Sequence, residues 1–237
     1  MADQDTAADR HIPPDIDERT MKTIRIDCHL HTEYSPDSIS PIEDLADQAR
    51  RIGLDKLIIT DHNTIAGAMI LKKRYPDFVI VGEEIQTTCG EILAYFVEEE
   101  IPPWLEPEEA FQRLTAQNAF ISLSHPYAFS RMGWTEPEML RYQPYLDAIE
   151  TANVRNTPRL NQKAADFANA HGLAATAGSD GHAVHELGRM GLELPDFHTA
   201  DEMRLAVREA TVFGDESSLL VRFYSRKAVL LKKLHLK

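Results

Sequence analysis

The chain has 237 residues, 43% hydrophobic and 27% charged, enough for one sizeable core, with 38 acidic against 25 basic side chains and a net charge of −13. That charge repels long polyanions and argues against stable binding to long nucleic acid; no apolar run approaches a membrane span and the first twenty residues lack the apolar core of a signal peptide, so no membrane partner and a cytoplasmic location are expected. The two cysteines, Cys28 and Cys89, lie far apart and imply neither a disulfide framework nor a thiol-rich zinc site.

Residues 1–22 are polar, include Pro13 and Pro14, show no periodicity and are expected to form a disordered tail. A short apolar run (Ile24, Ile26) then leads into Asp27-Cys28-His29-Leu30-His31. In an extended strand residues two apart face the same way, so Asp27, His29 and His31 are expected to converge. Two imidazoles on one strand end suit a divalent transition metal. Ser40 as N-cap, Pro41 as the first helical residue and the acids Glu43 and Asp44 predict a helix that stops at Gly53.

Lys56-Leu57-Ile58-Ile59-Thr60 predicts a strand ending in Asp61-His62-Asn63. A helix over 65–75 precedes the strand Phe78-Val79-Ile80-Val81, which ends in Gly82-Glu83-Glu84. A further strand over 91–97 is expected to pair with it after a turn at Cys89-Gly90. A helix from Pro107 to Gln117 leads to a strand over 120–124 that ends in His125-Pro126, and a strand over 146–149 ends in Glu150. A helix over 158–171, stopped by Gly172, leads to a strand over 173–177 that ends in Gly178-Ser179-Asp180-Gly181-His182. Residues 189–194 read as an edge strand, followed by a helix from Ala200 to Ala210 introduced by Thr199. Residues 217–237, with six Lys or Arg and no acid, read as a basic C-terminal segment, a terminal helix with one basic face or a segment that docks on an acidic partner or neighbouring subunit.

Six or seven strand–helix units with polar residues at the strand C-termini fit a parallel barrel or a doubly wound sheet, and only a closed barrel brings so many strand ends to one place. The candidate metal ligands are His29, His31, Asp37, Asp61, His62, Glu84, His125, Asp180 and His182. Each has a plainer reading alone: Asp37 as a loop cap, Asp61 as an Asx turn, His125 as a surface residue. Their joint placement at successive strand ends favours ligation.

Asp27-x-His29-x-His31, Thr60-Asp61-His62-Asn63, Gly82-x-Glu84-Ile85, Ser124-His125-Pro126 and Gly178-Ser179-Asp180-Gly181-His182 resemble, in order, the motifs of the PHP family, the polymerase and histidinol phosphatase domains. The resemblance spans roughly residues 23–190, and the segment from His185 is similar to the extension of the small metal-dependent phosphoesterase type. It implies one domain over 23–216 with a distorted seven-stranded α/β barrel, a TIM-like (β/α)7 barrel carrying its metal site at the strand C-terminal ends. It also implies two divalent ions and a third in question, of zinc, manganese or iron. His29, His31, Glu84 and Asp180 would hold one ion, and Asp37, His62 and His182 a second. Glu84 would bridge to the third, with His125. Where many members carry a further His, Leu93 stands, with Glu91 and Cys89 as nearby substitutes.

Two such ions would activate water and neutralise the oxygens of a phosphate ester. Asp180, His182 and His125 are the expected catalytic groups, Arg131 and Arg155 the expected phosphate clamps on facing loops, and Asp27 an outer carboxylate that orients the ligands. The expected activity is hydrolysis of a phosphate ester of a small metabolite or nucleotide. Two other readings are a carbon–nitrogen hydrolase, against which Lys56 opens its strand rather than ending it, and a non-catalytic metal-binding regulatory module. Nothing in the sequence fixes an oligomeric state.

Overall fold

The computed structural model describes residues 22–214, so the expected disordered tail, except its last residue, and the basic segment over 217–237 lie outside the described residues. The strands are β1 (Thr23–Asp27), β2 (Lys56–Ile59), β3 (Val79–Gln86), β4 (Glu91–Tyr95), β5 (Phe120–Leu123), β6 (Ala148–Asn153), β7 (Ala174–Gly178), β8 (Met190–Pro195) and β9 (Thr211–Gly214). The helices are α1 (Ile42–Arg51), α2 (Ala66–Arg74), α3 (Pro107–Ala116), α4 (Glu136–Tyr142), α5 (Pro158–His171) and α6 (Ala200–Ala206).

The strands form one mixed sheet in the order β7-β6-β5-β4-β3-β2-β1-β8-β9. Pairing is parallel from β1 to β3 and from β5 to β7. It is antiparallel where β4 enters by a tight turn between β3 and β5, and where β8 and β9 add beyond β1. A hairpin needs only a short turn, whereas each parallel step needs a helical crossover. The sheet nearly closes into a barrel, because the chain after β1 also bonds to the end of β7. His31 N donates to Gly181 O at 2.9 Å and Asp180 N to His29 O at 2.7 Å, around a parallel bridge between Leu30 and Gly181.

The sheet therefore has nine strands rather than the expected seven. Residues 189–194 do not form an edge, since β8 lies between β1 and β9. The edge is β9, a four-residue segment too short to carry a legible periodicity; it forms because Thr211 and Val212 pair with Glu193 and Leu192. α1 starts at Ile42 with Pro41 in the capping position and no side-chain cap, so Ser40 does not cap it. The Thr199 cap does form, accepting from Glu202 N at 3.2 Å, but α6 ends at Ala206 and continues as a 3-10 turn. α4 lies outside the expected helices, and Thr135 and Glu138 form the reciprocal capping box that its sequence spells.

Strand alternation divides the core. Leu57, Ile59, Val79, Val81, Ile92 and Ala94 pack outward against Leu45, Leu71, Phe111 and Leu114 of the helices. Ile58, Ile80, Leu93, Tyr95 and Phe120 face the other way and join Met203 and Ala206 of α6. Arg204 of α6 donates to Ala119 O at 2.7 Å and to Asp147 at 2.9 Å, just before β5 and β6, so α6 closes the end where these strands start. The opposite end is left for polar side chains. Among the described residues no helix is long and apolar enough to cross a membrane.

Candidate metal centre

At the C-terminal strand ends four donors meet. His29 Nε2 and His31 Nε2 are 3.1 Å apart, Glu84 Oε2 lies 3.2 and 3.3 Å from them, and Asp180 Oδ1 lies 3.8 and 3.5 Å from them. A four-coordinate tetrahedral ion with bonds of about 2.0–2.1 Å sets its ligands about 3.3–3.4 Å apart. Three buried donors, His29, His31 and Glu84, therefore already stand at coordination spacing, with Asp180 facing both imidazoles. His29 Nδ1 donates to Glu150 Oε1 at 2.9 Å and His31 Nδ1 lies 3.1 Å from Ser35 Oγ, so the far side of each ring is held and Nε2 is aimed inward.

Abrupt turns at the strand ends deliver these groups. His125 and Asp180 have φ of 26° and 50°, in the left-handed region that non-glycine residues avoid. The turns are held by His125 N donating to Glu150 Oε2 at 2.8 Å and by the bond from Asp180 N to His29 O. Gly178 lets β7 approach: a Cβ there would lie 2.4 Å from His29 Cβ.

A second group adjoins the first. Asp37 Oδ2 is 2.9 Å from His182 Nε2 and 3.4 Å from His62 Nε2, while His62 Nδ1 reaches Glu84 Oε2 at 3.1 Å. His182 Nδ1 donates to Asp180 O at 2.8 Å, which leaves its Nε2 facing Asp37. On the other side of Glu84, His125 Nε2 lies 3.2 Å from Glu84 Oε1 and 3.1 Å from Glu91 Oε2. The groups open into a cavity of about 230 Å³, which Arg131 also lines.

The charges depend on one another. Burial opposes a charge on His29 and on His62, but Glu84 leads the carboxylates that outweigh it, raising His29 well above the usual imidazole range and His62 to about 10. His31 is pushed down to about 3 by burial and by His182 and His62 beside it, so its nitrogen lone pair is available at neutral pH. Burial also opposes ionisation of Glu84 and Asp180, yet the facing cations, His29 foremost, hold both well below the carboxylate range. A divalent cation would displace the protons on these imidazoles and meet ionised carboxylates, so the donor set fits a metal.

Three expected placements change. Asp61 does not join the clusters: its carboxylate accepts from Thr32 N and Thr32 Oγ1, each at 2.6 Å, and from Ser35 Oγ at 2.9 Å, so it braces the loop after β1. Arg155 is not a free clamp, because its buried guanidinium bonds to Asp180 O and, at 2.8 Å, to Glu186 Oε2. Arg131, with a side chain 28% exposed, contacts Asp180 Oδ2 and donates to Asn156 Oδ1 at 2.9 Å on the cavity wall. Third, Leu93 is buried inside the barrel, while Cys89 packs on the outer core. Glu91, on the same face of β4 as Leu93 but two residues nearer the site, lines the cavity instead.

Asp27 touches no imidazole. It accepts from His29 N (3.2 Å), Ser179 N (3.0 Å), Ser179 Oγ (2.5 Å) and Gly188 N (3.0 Å), tying the His29 and Asp180 segments together through their backbones. Glu150, outside the expected site residues, holds both His29 and the His125 backbone; its place at a strand end is the sequence signal for that role.

The PHP domain profile matches residues 27–183 and the PHP-associated profile residues 158–212. An uncharacterized protein of Methanocaldococcus jannaschii is 36% identical over 118 residues, 44% of this chain and 69% of that one. A second uncharacterized protein of that organism is 30% identical over 188 residues, 73% of this chain and 74% of that one. A two-domain protein from Bacteroides vulgatus, containing a predicted PHP-like metal-dependent phosphoesterase, shares the fold with a TM-score of 0.67 at 18% identity, over 94% of this chain and 75% of that one.

Proposed function

Because the chain belongs to the PHP domain family, we propose that it is a metal-dependent phosphoesterase that hydrolyses a phosphate ester of a small metabolite or nucleotide. The observation that carries this reading is the convergence of His29, His31 and Glu84 at separations of 3.1–3.3 Å, with Asp180 at 3.5–3.8 Å from both imidazoles, beside a cavity lined by Arg131. His29, His31, Glu84 and Asp180 would hold one ion, and Asp37, His62 and His182 a second. Divalent ions so placed supply Lewis acidity and lower the pKa of water toward neutrality.

The chain's own groups do the rest. Arg131, more exposed on the cavity wall than Arg155, is the guanidinium placed to meet a nonbridging phosphate oxygen with the hydrogens that its bonds to Asp180 and Asn156 leave over. His125 is buried between Glu84 and Glu91, with its Nε2 turned toward both carboxylates beside the ligand cluster. A cavity of about 230 Å³ and a net charge of −13 favour a small phosphorylated substrate over a long polyanion. The carbon–nitrogen reading gains no support from Lys56, whose Nζ bonds to Asp196 and to Phe197 O rather than to the imidazoles.

The test combines elemental analysis of protein purified without added metal with phosphate release from a panel of phosphomonoesters and nucleotides. At least one tightly held transition metal and release from some member of the panel are expected, and His29→Ala and Asp180→Ala should each lose both. Normal phosphate release by either variant refutes the assignment.

A further inference from the structure

We propose that Glu91 is the ligand that closes a third cation position, with Glu84 and His125, and that it shifts the selectivity of that position toward Mn²⁺ and away from Zn²⁺. The inference rests on the metal-binding reading above and goes beyond it by assigning a residue and a preference. Glu91 opens β4, and three hydrogen bonds fix its backbone: Trp134 Nε1 donates to its carbonyl at 2.6 Å, Ser124 N donates to the same carbonyl at 3.1 Å, and its own N–H donates to Met132 O at 3.2 Å. The side chain is 10% exposed and turned into the cavity.

Its carboxylate meets His125 Nε2 at 3.1 Å on one side and lies 3.9 Å from His62 Nδ1 on the other. Glu84 Oε1 faces the same His125 nitrogen at 3.2 Å. His62, Glu84 and Glu91 each offer a donor atom within 4.8 Å of the others. Two buried carboxylates thus converge on a single imidazole nitrogen, at 3.2 and 3.1 Å. That nitrogen carries at most one hydrogen to share between the two carboxylates, whereas a cation is a partner for both.

The donor types set the preference. The first position offers two imidazoles and two carboxylates, the second two imidazoles and one carboxylate, and the third one imidazole and two carboxylates. Carboxylate oxygen suits Mn²⁺ and Mg²⁺, and imidazole suits Zn²⁺. The third position is therefore where Mn²⁺ competes best, and replacing Glu91 by histidine would reverse its character.

The test uses the full chain, stripped with chelator and reloaded with Mn²⁺, with Zn²⁺, or with both. Ions per chain are counted by elemental analysis after gel filtration, and free Mn²⁺ is followed by electron paramagnetic resonance. The wild type should saturate at three Mn²⁺. Glu91→Ala and the isosteric Glu91→Gln should keep two ions and weaken the third by more than about 100-fold, beyond the cost of losing an outer partner. Glu91→His should keep three and move the Zn²⁺/Mn²⁺ ratio at the third by at least about tenfold toward Zn²⁺. Circular dichroism of each chelated variant checks folding. Two ions in the wild type, or three in both Glu91→Ala and Glu91→Gln with unchanged affinity, overturns the inference and leaves the phosphoesterase reading standing; a wild type that holds no metal overturns both.

Discussion

Glu150 offers the sharpest test of how the centre is held. Its carboxylate is fully buried and accepts three N–H groups: His29 Nδ1 at 2.9 Å, His125 N at 2.8 Å and Asn153 Nδ2 at 3.0 Å. Glutamine matches its volume but carries one acceptor oxygen and one donor amide, so in Glu150→Gln at least one of the three donors faces another donor. Leaving a buried donor without an acceptor costs about 1–3 kcal/mol. Loss of an outer partner to a metal-bound histidine typically weakens the metal about 10–100-fold, equivalent to about 1.4–2.7 kcal/mol. Zn²⁺ affinity is measured by competition with a chromophoric chelator, and stability by urea unfolding in excess chelator, which separates the two effects. Weaker metal binding and lower metal-free stability are both expected. Wild-type affinity together with wild-type stability would show that Glu150 neither aims His29 nor holds the His125 turn.

Two further perturbations follow from the same packing. In Gly178→Ala the new methyl would lie 2.4 Å from His29 Cβ and 2.6 Å from His29 N, forcing β7 off the chain after β1; a loss of about 1–3 kcal/mol in urea unfolding and a lowered metal content are expected, and an unchanged unfolding midpoint counts against the described approach of β7 to His29. Glu83, fully buried on the other face of β3 from Glu84, has its carboxyl pushed up to about 8 by burial, although Ile101 N donates to it at 3.0 Å. Between its ordinary value of 4.5 and about 8 the native state binds the extra proton, so this group's stabilisation is full below that window and is lost as pH rises through it. Glu83→Gln removes the dependence: relative to the variant, the wild type should lose roughly 3–5 kcal/mol between pH 4 and 9 in urea unfolding, and parallel pH profiles for the two proteins contradict a buried Glu83.

The strand ends were legible because a strand that finishes in a polar motif has one face to offer it, and His29, His31, Glu84, His125, Asp180 and His182 do converge. Depth was not legible. Glu91 and Leu93 share a face of β4, and period-two alternation cannot separate two residues that differ by one layer, about 6.7 Å along the strand. Nor could the direction of a strand-end carboxylate be read: Asp61 and Glu150 occupy similar places, yet Asp61 turns to Thr32 and Ser35 while Glu150 turns to His29. The two arginines were equivalent in sequence, and Glu186, recruited from the loop after β7, is what engages Arg155.

Residue type and strand periodicity set the donors and their order, since which side chains can bind a metal is a property of residue type, and alternation along the strand brings His29 and His31 to one end. Tertiary structure alone decided which carboxylates face the imidazoles, how β8 and β9 extend the sheet to nine strands, and that Glu91 rather than Leu93 stands beside His125. Those choices depend on register, layer and closure between segments far apart in the chain. No local pattern encodes them, because each is fixed by contacts made only once the strands have paired.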